Sequence, residues 1–251
     1  MVMAENQIEI IPPHGALIAH RGANLITRAD LADLPLPEAT RTHKPVAHAQ
    51  IVNALLETLS FRHIQVVRDE YAVSEDGMKM FGVLDLDYQY HDVRFSIGIR
   101  NANDKSMRLA MVIGYRVFVC DNMAFQGDFQ PVFAKHSSRL DLIDTVSVGV
   151  DKMQRNFDPL KNQLGKWKTH ELSDVDAKMI LYQAFIEGQL EVPNVIKDVH
   201  QLYFEPQYDD FRPRNLWSLS NAFTSAFKEL RPFQQFKSTA KLSPFLETFA
   251  T

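Results

Sequence analysis

Residues 93 to 125, VRFSIGIRNANDKSMRLAMVIGYRVFVCDNMAF, alternate apolar and polar side chains through two successive runs, a period that belongs to strands and not to helices. Side chains along a strand point to opposite faces in turn. In the first run Val93, Phe95, Ile97 and Ile99 share one face, while Arg94, Ser96, Gly98 and Arg100 share the other. In the second, Met107, Leu109, Met111, Ile113, Tyr115, Val117 and Val119 form an apolar row opposite Arg108, Ala110, Val112, Gly114, Arg116, Phe118 and Cys120. Asn101, Ala102, Asn103, Asp104 and Lys105 supply the turn between them. The pattern predicts a hairpin with Arg94, Arg100, Arg108 and Arg116 on a single face.

That face has two readings. Exposed arginines are commonly solvated or paired with carboxylates, and Asp85 and Asp87 on the preceding run are at hand. A guanidinium fork also matches phosphate oxygens, so an open face of this kind would hold phosphates.

The flanking sequence fixes the fold class. Ile51, Val52, Leu55, Leu56 and Leu59 recur at helical spacing and predict a helix over 46–59. Residues 63–74 and 78–88 then return to period two around the turn signal Glu75-Asp76-Gly77, which makes a meander of about four strands with the hairpin. Beyond it, Ser138 is placed to cap a helix buried through Ile143, Val146, Val150, Met153 and Phe157, with Lys152 and Arg155 on its other side. Asp158-Pro159 either kinks that helix or starts another through Leu160, Leu164 and Trp167. Ser173 with Asp176 resembles a capping box, Gly188 is placed to end the helix it opens, and Asn215 caps a last amphipathic segment. The expected architecture is α+β, an antiparallel β-meander packed against helices, with a helical C-terminal region. Residues 1–45 read as an N-terminal arm and proline-rich linker, 46–170 as the α+β core, and 171–251 as the helical region.

Composition removes several function classes. The net charge of −4 gives no bulk attraction to nucleic acid or membrane, so any such binding needs a local patch. A single cysteine, Cys120, excludes an internal disulfide and fits a reducing cytoplasm; no run spans a bilayer and no signal peptide is read at the N-terminus. Neither GxxxxGK[ST] nor GxGxxG occurs, the histidines lack HExxH spacing, and no cofactor or metal is expected. Asp85 and Asp87 on one strand face could contribute to a divalent-metal site, but no lysine-bearing nuclease signature follows them.

The stretch NANDKSMRLAMVIGYRVFVCDNMAF resembles the phage/plasmid-like proteins of the domain-of-unknown-function family numbered 932. Asn101, Asp104 and Ser106 fill that family's loop pattern, Arg108 and Arg116 its strand, and Cys120 and Asn122 its ending, with Val117 or Val119 in the valine position. Trp217, Asn221, Ala222 and Thr224 in WSLSNAFT resemble its C-terminal helix. The resemblance implies a gene carried on mobile elements and, by analogy, nucleic-acid handling. The order of helix, meander and long basic helix is also similar to the core of ring-forming single-strand annealing proteins.

The function expected is that of a non-enzymatic, mobile-element-associated protein that binds single-stranded DNA, in annealing or recombination, possibly as a homo-oligomer. Arg94, Arg100, Arg108 and Arg116, with Lys152 and Arg155, would hold phosphates, and Phe118 would stack on bases. The alternatives are a protein-interaction factor that blocks or senses host defence through the acidic aromatic loop from Tyr203 to Trp217, and a metal-dependent nuclease using Asp85 and Asp87.

Overall fold

The structure, a computed structural model, describes residues 24–118, 123–125, 132–186, 190, 193–230 and 232–250. Its centre is a seven-stranded antiparallel sheet in the order β1-β2-β3-β4-β5-β6, with β7 also on β5. The strands are β1 (Asn24–Ile26), β2 (Val66–Val73), β3 (Lys79–Tyr90), β4 (Val93–Ala102), β5 (Leu109–Val117), β6 (Met123–Phe125) and β7 (Val132–Ala134). The α+β class is as the periodicity implies. The meander is extended by three short strands whose length gives little alternation to read.

The apolar row of the hairpin forms the core. Phe95, Ile97, Ile99, Met111, Ile113, Tyr115 and Val117 are all within 2% of full burial, in one cluster with Met80, Leu84 and Leu86 of β3. Helices α1 (His48–Phe61), α2 (Leu142–Thr169) and α5 (Leu216–Phe227) add their apolar stripes to the same cluster. Phe157 of α2 meets Phe95 at 5.3 Å between ring centroids, and Trp217 of α5 meets Tyr115 at 5.8 Å. Core residues on both sides of position 170 therefore share one interior.

Helix ends follow the chemistry of their caps. Asp141, and not Ser138, caps α2, because its carboxylate accepts from the Asp144 amide at 3.0 Å. Pro159 lies inside α2 as one helix of 28 residues. Burial of Leu160, Leu164 and Trp167 beyond it outweighs a local cost of about 3 kcal/mol. Ser173 and Asp176 form a reciprocal capping box on α3 (Asp174–Phe185), and Asn215 caps α5 through the Ser218 amide at 2.8 Å. Gly188 lies outside the described residues. Helix α4 (Ile196–Phe204) leads to the acidic aromatic loop, and α6 (Pro232–Glu247) closes the chain. The Glu247 carboxylate accepts from the Trp167 indole and from Gln163, both at 3.0 Å, which fastens α6 to α2 and satisfies a buried donor. No helix among the described residues is long and apolar enough to cross a membrane.

Candidate functional site

The four arginines do not share an open face. Arg116 is buried, its Nε 2.8 Å from Asp85 and its Nη2 3.3 Å from Glu70, so it neutralises carboxylates inside the protein. Asp85 also accepts from the Ser96 hydroxyl at 2.6 Å. Asp87 is exposed where the β3–β4 register shifts, so the two aspartates do not act as a pair. No group of three or more His, Cys, Asp or Glu side chains among the described residues is placed to hold a metal.

Between the ends of this face Ala72, Phe81, Val83, Val112 and Met123 form a second buried apolar cluster. It separates Arg94 from Arg100, six residues or about 20 Å apart along β4. Arg94 is half-buried, with its guanidinium 5.4 Å from the ring centre of the exposed Phe118. Lys152 and Arg155 are exposed on α2 and stand apart from the arginine face. That helix covers the opposite side of the sheet, where Gly149 abuts Val132 and Met111.

Arg100 and Arg108 do come together, in a pocket of about 660 Å³ at the hairpin end of β4 and β5. The register places Arg100 opposite Ala110 and Ala110 opposite Phe133 of β7. The small Ala110 side chain lets the flanking groups approach across it. Arg100 lies 6.0 Å and Arg108 4.6 Å from the ring centre of Phe133, which is 51% exposed. Lys105 and Lys135 complete the basic wall, and no carboxylate lines the pocket. Lys105 reaches it from a turn position with φ of 68°, the left-handed region a lysine seldom adopts. Asp104, its neighbour, is engaged by Lys79 at 3.2 Å and by the Ser106 amide at 2.9 Å. Burial depresses the ionisation constant of Arg100, which favours an anion beside it.

The inner wall is built from histidines. His43 and His136 stack with ring centroids 5.6 Å apart. His43 has carbonyl oxygens against both ring nitrogens, that of His136 at 3.1 Å and that of Asn103 at 3.2 Å. Asn101 and Asn103 pin the segment before α1 to the hairpin: Asn101 donates to the Val46 carbonyl and Asn103 accepts from the Val46 amide, both at 3.2 Å. Asn101 also faces His48 Nδ1 at 3.0 Å, while His48 Nε2 donates to the Gly77 carbonyl at 3.1 Å. Burial pushes the His48 imidazole down, in keeping with this neutral, one-donor arrangement.

Asn101 is thus a buried strut within β4 and not a turn residue, whereas Asp104 and Ser106 do sit in the turn. Trp217 is core, and Asn221 and Thr224 bond backbone carbonyls of their own helix. Cys120 and Asn122 lie outside the described residues. In the loop from Tyr203 to Trp217, Tyr203 and Phe211 are buried and Arg214 packs on Tyr203, so little of its aromatic character faces solvent. His43, Lys105, Phe133, Lys135 and His136 are the pocket residues that sequence reasoning missed. The adjacent cations Lys135 and His136 were the available signal, on a strand too short to show its period.

Comparison with family models, with curated proteins and with solved structures finds no match to this chain. The functional reading therefore rests on the pocket.

Proposed function

We propose that this protein binds single-stranded nucleic acid, with Arg100, Arg108, Lys105 and Lys135 holding phosphate and Phe133 stacking on a base. The observation that carries the reading is the four cations without a carboxylate in one pocket of a chain whose net charge is −4. Such a local reversal of sign has a stated use, since guanidinium and ammonium groups gather phosphate oxygens. The half-exposed Phe133 ring adds a stacking platform next to those cations. A base must leave a duplex to reach a ring set into a pocket, which favours single strands.

The resemblance to phage- and plasmid-borne proteins points the same way by analogy, and a role on mobile elements is part of this reading. It assigns no catalysis to the pocket. The test is anisotropy of a labelled oligothymidylate with the full-length protein. Retention at about 50 mM salt that weakens steeply by about 200 mM is expected. Folded protein that retains neither single- nor double-stranded DNA at the lower salt would remove the reading.

A further inference from the structure

His136 is 6% exposed, lines the pocket, and has no hydrogen-bond partner at either ring nitrogen. A buried polar group left without a partner costs about 1 to 3 kcal/mol and calls for an explanation. We propose that the pocket holds the terminal phosphate of a strand, a phosphate monoester, and that His136 takes up a proton and donates to it. This inference rests on the single-strand reading and specifies which phosphate is bound.

Three features carry it. The first is charge. Arg100, Lys105, Arg108 and Lys135 with no lining carboxylate exceed what a diester requires, whereas a monoester carries roughly −1.5 to −2 near pH 7. The second is access. The stacked rings of His43 and His136 close the inner wall, and an internal phosphate needs room for a chain on both sides while a terminal one needs it on one. The third is donor inventory. His43 already faces two carbonyls, so His136 is the imidazole with an N–H to give.

Around His136 stand His43 and Lys44 before α1, His48 on α1, Arg100 on β4, Lys105 and Arg108 at the hairpin, and Lys135 beside it. Burial first, and then His43 and His48, hold the His136 imidazole down to about 4 in the free protein. A bound dianion offsets that repulsion. One proton passes from water to His136, the imidazolium N–H donates to a phosphate oxygen, and no bond of the phosphate breaks.

The test compares full-length protein binding to a short oligothymidylate bearing a 5′-phosphate, a 3′-phosphate or hydroxyl ends. Calorimetry in two buffers of different ionisation enthalpy counts protons. Roughly tenfold tighter binding of one phosphorylated end is expected near pH 6.5, with net proton uptake. His136→Gln should lose both the preference and the uptake while still binding the hydroxyl-ended strand. Equal affinity for all three ends overturns the terminal-phosphate assignment and leaves the single-strand reading standing. A preference without proton uptake overturns the role of His136. Binding of thymidine 5′-monophosphate but of no oligonucleotide supports the monoester site and removes the single-strand reading, and binding of none of these removes both.

Discussion

Arg116 Nε lies 2.8 Å from Asp85 Oδ2, with 4% of the arginine side chain and 2% of the aspartate exposed. A guanidinium so placed serves folding, because removing it strands a buried carboxylate that Glu70 and Ser96 cannot neutralise. Arg116→Ala should lose about 3 to 5 kcal/mol of stability in urea unfolding. A loss under about 1 kcal/mol would mean that water screens the pair.

Gly149 offers a test of the sheet-to-helix contact. Replacing glycine by alanine inside a helix ordinarily stabilises by roughly 1 kcal/mol. Here a Cβ would fall well inside contact distance of Val132 Cγ2. Gly149→Ala should therefore destabilise, by about 1 to 3 kcal/mol, and a rise in melting temperature would show that β7 yields readily.

His136 makes stability depend on acidity in the ligand-free protein. Burial and the neighbouring histidines lower its folded value to about 4, while the unfolded chain takes up the proton near the ordinary 6.5. Because the unfolded state binds more protons in that window, the contribution is complete above pH 6.5. It falls as pH drops toward 4, by up to about 1.4 kcal/mol per unit. Wild type and His136→Gln compared by denaturant titration between pH 7 and pH 4.5 should diverge accordingly. Parallel curves would show that His136 is protonated in the folded state.

The long elements were legible because their periodicity spans many residues. The apolar rows of β4 and β5, the stripe of α1 and the caps at Ser173 and Asn215 all follow from local pattern. The site was only half legible. Alternation placed four arginines on one face correctly, but face identity says nothing of burial. Asp85 reaching Arg116 across β4 and the apolar cluster around Val83 depend on what is packed there. His43 and Phe133 stand 90 residues apart in sequence and meet only because Asn101 and Asn103 tie the segment before α1 to the hairpin while β7 pairs with β5. No spacing rule anticipates such a meeting.

Phe133 separates stacking from charge. Its ring is half exposed, so Phe133→Ala should leave thermal stability nearly unchanged and weaken oligothymidylate binding by about 1 to 3 kcal/mol with the salt slope preserved. Undiminished affinity would mean that no base rests on this ring.

The location of the nucleic-acid site is tested most directly by the salt dependence of binding in two double variants. Arg108→Ala with Lys135→Ala removes two exposed pocket cations, and Lys152→Ala with Arg155→Ala removes two exposed cations from α2. The pocket variant should fold normally and lower the slope of log affinity against log salt by about 1.4, at roughly 0.7 for each phosphate contact, while the helix variant keeps the wild-type slope. An unchanged slope in the pocket variant, or an equal fall in the helix variant, would contradict the pocket as the binding site.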